Sequence, residues 1–268
     1  MIIIYMKVLL MGDLHFGSEF AGWSEYLKSE NHNGDIVTTG RTNEVQARIW
    51  KELEMMRDKH SDADLVIVNG DVCEGPESKD LGKFCLTTDM MVQCQAAVEY
   101  LRDFGGDVYV NQGTDYHSIA GIPMEKYIAE KIGAKYRHSL TLDIEAIRLQ
   151  AHHHMSASTS TWQYRTTPLA RDLVLLALNN DAMGYGDVDV AIRSHVHYWA
   201  HVEFRNHAIV LPCWQAMTPY AQKKGMISTP DLGYAWLDVE DDQISVHKHL
   251  FKVPLRVDSY AREHDKRS

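Results

Sequence analysis

Four short polar clusters stand at the ends of apolar runs: Gly12-Asp13-Leu14-His15, Asn69-Gly70-Asp71, His152-His153-His154 and Ser194-His195-Val196-His197. Carboxylates and neutral imidazoles are the side chains that ligate first-row transition metals. In Asp13-x-His15 and His195-x-His197 the paired side chains share one side of an extended chain, because strand side chains alternate. Asp71 offers a carboxylate next to a glycine that allows close backbone approach. The chemistry on offer is that of a metal site built across a sheet. Against it stand plainer readings: a turn-capping Asp71, a surface Asp13 and a buried, backbone-bonded His15. Three consecutive histidines cannot all face one way. His152 follows its strand directly and is the expected ligand. His153 and His154 are left to support the site, face substrate or lie in solvent.

Each cluster needs an element to deliver it. Ile2–Met11, Leu65–Val68, Val108–Val110 and Val188–Ile192 read as buried strands. Ligand sites in α/β sheets form at strand ends on one side. Thr42–Lys59 repeats Val45, Ile49, Leu53 and Met56 at helical spacing, and Thr87–Phe104 repeats Met91, Cys94, Val98 and Leu101. Pro123–Ile132 opens on a proline suited to a first helical turn, and Leu169–Leu178 is also helical. Leu140–Ile144 and Ile147–Ala151 predict a hairpin whose second arm delivers the histidine run. Ala208–Leu211, Tyr234–Val239 and Ile244–Leu250 are further strands, and residues 18–40 read as a long polar loop. Strand and helix alternate in the first half and hairpins dominate the second. That pattern predicts two packed sheets with helices outside.

The chain has 268 residues, 45% hydrophobic and 24% charged, enough to bury a sizeable core. Residues 1–255 are expected as a single domain and 256–268 as a charged tail. Net charge is −10 and no basic block stands out, which argues against broad affinity for nucleic acid. Cys73, Cys85, Cys94 and Cys213 lack paired zinc spacing and read as thiols in a reducing compartment. No apolar stretch is long enough to span a membrane. Met1–Met11 runs straight into Gly12-Asp13 and reads as a strand rather than a signal peptide. The expected setting is cytoplasmic, without a membrane partner; nothing in the sequence fixes an oligomeric state.

In their order along the chain, the clusters resemble the motifs of the calcineurin-like metallophosphoesterase family. Those motifs run Asp-x-His, Gly-Asp, Gly-Asn-His-Asp/Glu, a lone His after a strand, and Gly-His-x-His. They stand here as Asp13-Leu14-His15, Gly70-Asp71, Gly113-Thr114-Asp115-Tyr116-His117, His152 and Ser194-His195-Val196-His197. The resemblance spans about residues 7–250. It implies a four-layer αββα sandwich of two mixed β-sheets flanked by helices, the metallophosphoesterase fold. It further implies two divalent transition-metal ions: Asp13, His15 and His197 on one, His152 and His195 on the other, Asp71 bridging. Manganese is the expected ion, with iron, zinc and nickel suited to the same ligands. The implied reaction is hydrolysis of a phosphodiester or phosphomonoester by a hydroxide activated between ions ~3.5–4 Å apart. The substrate is a phosphate ester, with nucleotides and nucleic acid among the candidates. Two alternatives stand beside it: a DNA-repair-exonuclease-like nuclease, and a non-catalytic scaffold with a partly degenerate metal site.

The third motif departs from the family pattern. Thr114 replaces its asparagine ligand and Asp115 its catalytic histidine. Thr114 would coordinate weakly through its hydroxyl, and Asp115 more strongly. His117 is the preferred catalytic histidine, with Asp115 the second candidate. Beyond the histidine run lie Trp162, Tyr164, Arg165 and Arg171. An arginine there suits a phosphate and an aromatic ring suits a base, although a solvated helix face explains them equally well. Trp214 and Tyr220 are further cleft candidates, although Trp and Tyr more often pack in cores.

Overall fold

The computed structural model describes residues 5–30, 33–38, 42–76, 82–118, 122–155, 162–184, 186–223 and 229–253. The expected charged tail lies outside the described residues. In chain order the elements are β1 (Tyr5–Met11), β2 (Lys28–Glu30), β3 (Ile36–Thr38), α1 (Glu44–Lys59), β4 (Leu65–Asn69), α2 (Met90–Leu101), β5 (Asp107–Asn111), α3 (Met124–Ile132), β6 (Lys135–Arg137), β7 (Leu140–Ile144), β8 (Ile147–Ala151), α4 (Thr167–Met183), β9 (Val190–Arg193), β10 (Ala200–Glu203), β11 (His207–Val210), α5 (Pro219–Lys223), β12 (Leu232–Glu240) and β13 (Gln243–Phe251).

Side-chain alternation builds the layers. In β1, Val8 and Leu10 face a core between the sheets, while Leu9 and Met11 face α1, α2 and α3. β4 repeats the pattern, with Leu65 and Ile67 inward and Val66 and Val68 toward the helices. Strands with both faces buried read as continuous apolar runs, which is why these were recognisable. On the far side, Leu169 and Leu176 of α4 pack on Ala191, Ala208 and Val210. The result is helix, sheet, sheet, helix. Each fully buried Leu, Ile or Val contributes about 1.5–3 kcal/mol relative to exposure.

One sheet has six strands in the order β13-β12-β1-β4-β5-β6, and the other has five in the order β10-β11-β9-β8-β7. Both are mixed: β1, β4, β5 and β6 run parallel, as do β8, β9 and β11; β12 and β13 add antiparallel pairings on one side of the first sheet, and β7 and β10 are antiparallel edges of the second. The β7–β8 hairpin expected across Glu145-Ala146 is present, pairing Ile144 with Ile147. The segment expected as one long loop contains the β2–β3 ribbon. β6 and β10 have three and four residues, too short to display a period. α1 opens on a capping box in which Asn43 and Gln46 each accept the other's backbone N–H at 2.9 Å.

A buried amide chain ties the sheets together. Asn111 Nδ2 donates to Asn69 Oδ1 (2.8 Å) and to the Ala151 carbonyl (3.3 Å). Asn69 Nδ2 donates to Ser194 Oγ (2.8 Å) and to the His152 carbonyl (3.1 Å). The ends of β4 and β5 are thereby fixed against those of β8 and β9.

Candidate metal centre

The loops after β1, β4, β5, β8 and β9 converge on the crevice between the two sheets. They bring Asp13 and His15, Asp71, Thr114 and His117, His153, and His195 and His197. All five leave the carboxyl ends of strands that run parallel within their sheets, where open α/β sheets bind ligands. Among the described residues, seven non-glycine positions have positive φ. Glu145 and Asp241 belong to hairpin turns; the others are Asp13 (52°), His15 (49°), Asp71 (48°), His195 (76°) and His197 (55°). Left-handed backbone is uncommon outside glycine and clusters at functional sites. Here it turns each side chain off its strand and into the crevice.

Glycines make the approach possible. Gly70 has φ +83°, and a Cβ there would lie 2.5 Å from His153 Nδ1 and 2.8 Å from Gly113 Cα. A Cβ on Gly113 would collide with the Asp71 carboxylate and backbone N.

Two carboxylates form the spine of the crevice. Asp13 Oδ1 lies 3.3 Å from His197 Nε2 and 3.9 Å from both His15 Nε2 and His153 Nε2. Its Oδ2 accepts the His195 backbone N–H at 3.0 Å. Asp71 Oδ2 lies 2.9 Å from His153 Nε2 and 3.6 Å from His117 Nε2. His15 Nε2 and His197 Nε2 face each other at 3.2 Å. The His153 Nδ1–H donates to the Asn69 carbonyl at 2.7 Å. That bond holds the Nδ1 proton, so in the neutral ring Nε2 is the electron-pair donor. Among the described residues of the crevice, three groups have one ligand atom per residue within 4.8 Å of the others: Asp13–His15–His197, Asp71–His153–His195 and His15–Glu74–His117.

These residues fit a pair of cations. Asp13 Oδ1 and His153 Nε2 are buried, and their close approaches are the imidazole–carboxylate pairs with His197 and Asp71 rather than well-aligned hydrogen bonds; polar atoms buried this deeply are costly unless charge satisfies them. Buried carboxylates also need compensating positive charge. Within the protein, the imidazoles supply it. Burial alone would raise the Asp13 and Asp71 carboxyls, but His197 and His153 beside Asp13, and His153 and His117 beside Asp71, hold both below the usual range. Conversely, His153 is pushed up to about 9: burial opposes protonation, and the Asp71 and Asp13 charges overcome it. Burial lowers His195 to about 4, which keeps it neutral and able to ligate.

Not every expected residue lies where it was expected. His152, expected as the ligand, is displaced by its neighbour. Leu149 and Ala151 face the inter-sheet core, so alternation turns His152 toward α4 and brings His153 back to the crevice. His152 lines a cleft with His154 and α4 residues, and burial and the Arg193 charge lower it to about 3. Asp115 is exposed in the 3-10 turn Asp115–His117, and its Oδ1 accepts from Gln112 Nε2 at 3.4 Å. Thr114 grips Asp71: its backbone N–H donates at 2.6 Å and its hydroxyl lies 3.0 and 3.2 Å from the two carboxylate oxygens. His117 does reach the crevice, its ring 4.9 Å from that of His15 and its Nδ1 on the Glu74 carbonyl.

Of the aromatic and basic candidates, Trp214 is core, stacked 6.1 Å from Tyr234. Arg165 pairs with Asp231 at 3.0 Å and covers the Tyr198 ring. Arg171 lines the cleft, and Tyr164 is exposed. The side chains of Trp162 and Tyr220 lie outside the described ones.

Sequence reasoning missed Glu74. Its Oε2 lies 2.8 Å from His15 Nδ1 and accepts from Gln215 Nε2 at 2.7 Å. It missed Asn69 and Asn111 as the sheet bridge, and Glu125. Burial and the Asp71 charge push the Glu125 carboxyl up to about 7. The available signal was position: Asn69 and Asn111 occupy equivalent ends of adjacent strands.

No family model matches the chain, and none of the curated proteins matches it. Solved structures do align with it. A predicted phosphoesterase from Streptococcus pneumoniae superposes at TM-score 0.43 with 12% identity, over 96% of this chain and 97% of that one. Vps29 from Entamoeba histolytica, solved with Zn2+, aligns at TM-score 0.43 and 14% identity, over 92% and 100%. Vps29 from Chaetomium thermophilum aligns at 0.42 and 12%, over 93% and 100%. The chain folds as a four-layer αββα sandwich, as its own layers show. What the crevice can do follows from its own side chains.

Proposed function

We propose that the chain is a calcineurin-like metallophosphoesterase that hydrolyses a phosphate ester, a phosphodiester foremost, at a centre for two divalent cations. The observation that carries this reading is the pair of ligand groups Asp13–His15–His197 and Asp71–His153–His195, linked where Asp13 Oδ1 and His153 Nε2 lie 3.9 Å apart. Manganese is the favoured ion. Bound there, such ions supply Lewis acidity that acidifies water and offsets phosphoryl charge.

The chain's own residues do the rest. Asp13 and Asp71 present buried anionic oxygens, and Thr114 with Gly113 sets the angle of Asp71. Glu74 braces His15 as the Asn69 carbonyl braces His153; such outer partners orient ligands. His117 donates its Nδ1–H to Glu74 and keeps Nε2 toward the crevice. As an imidazolium it delivers the Nε2 proton to the departing ester oxygen.

A cleft of about 510 Å³ adjoins the crevice at His154, whose ring lies 4.5 Å from that of His195. Arg171 there suits a second anionic oxygen, and Met155 and Leu175 suit an organic leaving group. This mixture favours a diester over a bare phosphate. The net charge of −10 argues against long duplex DNA. Four cysteines without a disulfide suit a reducing, cytoplasmic setting.

Purified protein with added Mn2+ is expected to hydrolyse an aryl phosphodiester, and Asp71→Asn to lower turnover by more than about 100-fold. Unchanged turnover in that variant would overturn the two-cation reading. His117→Ala is expected to lower turnover about 10²–10⁴-fold with metal content intact; loss of one metal equivalent would make His117 a ligand instead. Preferential cleavage of single-stranded DNA would favour the nuclease alternative.

A further inference from the structure

A second imidazole–carboxylate cluster lies on the β10–β11 hairpin and shares no residue with the crevice. His201 and Glu203 are two apart on β10, so they share a face. His207 on β11 pairs directly with Glu203. All three side chains therefore project together. His201 Nε2 and His207 Nδ1 are 3.1 Å apart, with the rings 15° from parallel. One ligand atom from each of the three residues lies within 4.8 Å of the others.

Zn–N bonds of about 2.0–2.1 Å at a tetrahedral angle set two nitrogens roughly 3.3 Å apart. The 3.1 Å separation in the hairpin matches that span, as does the 3.2 Å between His15 and His197 in the crevice. We infer that His201, Glu203 and His207 form a third cation site, suited to zinc, with a fourth position open to water.

The electrostatics are consistent. Burial, His207 and Lys248 hold the His201 imidazole below its ordinary value, so it is a neutral donor at pH 7. Glu203 supplies the negative charge, and Lys248 from β13 opposes it. β10 is the outer strand of the five-stranded sheet. An ion here ties that edge to β11, immediately after the loop that carries His195 and His197.

The test is a Zn2+ titration of chelator-stripped, full-length protein, with bound metal counted after gel filtration. The doubly substituted His201→Gln, His207→Gln protein is expected to bind one equivalent fewer than wild type while keeping its Mn2+-supported hydrolysis of the aryl phosphodiester. Protein carrying Asp13→Asn and His153→Ala is expected to retain the hairpin equivalent, so the site stands or falls apart from the crevice. In wild type, the His201 and His207 imidazole NMR resonances are expected to shift on adding Zn2+. Equal Zn2+ stoichiometry in wild type and the hairpin variant, or imidazole resonances that do not move, would overturn the inference.

Discussion

At the scale of single residues, the crevice is governed by strand parity. His152 and His153 differ by one position and point to opposite faces of the five-stranded sheet. Removing His153 takes away Nε2, which lies 2.9 Å from Asp71 Oδ2; removing His152 empties part of a neighbouring cleft. His153→Ala is therefore expected to lose one metal equivalent and most turnover. His152→Ala is expected to keep its metal and to change the Michaelis constant more than kcat. Metal counting on the two proteins decides between them, and the opposite result would return the ligand role to His152. The parity was already present in the sequence: Leu149 and Ala151 are the apolar partners of an inward-facing 153. Adjacency to the strand end points to His152, whereas alternation points to His153. Glu74 was hidden for another reason. It follows Asp71 by three residues with no motif of its own, and only the fold brings it to His15 Nδ1.

At the scale of elements, long and strongly patterned segments were legible and short ones were not. α1 shows four apolar residues at helical spacing, and its core face holds Ile49, Leu53 and Met56. β1, β4 and β9 are continuous apolar runs because both of their faces are covered. β2, β3, β6 and β10 are held mainly by pairing with neighbours, which leaves little local signature. The Asn69–Asn111 bridge depends on two strands meeting side by side, a tertiary fact. Asn69→Ala would leave Asn111 Nδ2, Ser194 Oγ and the His152 carbonyl without that partner. Unsatisfied buried polar groups cost about 1–3 kcal/mol, so a loss of about 3 kcal/mol is expected for the set. A lower urea midpoint at unchanged slope would show it; a midpoint equal to wild type would mean that the sheets register without the bridge.

At the scale of the whole molecule, the αββα order of layers was anticipated by the change from alternating strand and helix to hairpins. Its acid response was not. His60 ends α1, packed against the Tyr234 and Trp236 rings, with Nε2 3.3 Å from the Tyr234 hydroxyl. Burial, with the Lys59 and Lys7 charges, lowers it to about 4. An unfolded chain protonates this imidazole near 6.5. Between those values the unfolded state binds more protons, so stability falls as pH drops from 6.5 toward 4 and levels off below. The loss is complete once both states are protonated, below about pH 4. His60→Phe keeps an aromatic ring in place and is expected to flatten that part of the pH–stability curve; a curve parallel to wild type would exclude His60 as its source. Among the described residues, no helix is long and apolar enough to cross a membrane.

The five left-handed positions in the crevice carry a consequence for how this sequence can drift. Backbone held in that region costs about 1–3 kcal/mol per residue, and glycine would relieve most of it at Asp13, His15, Asp71, His195 or His197. A copy selected only to persist as a folded body would gain stability by accepting those glycines. A copy that must hold a ligand forgoes that gain, because each glycine deletes a side chain on which the proposed centre depends. Idle descendants of this chain should therefore show their loss of chemistry first as glycines at these five places, long before the sandwich around them changes.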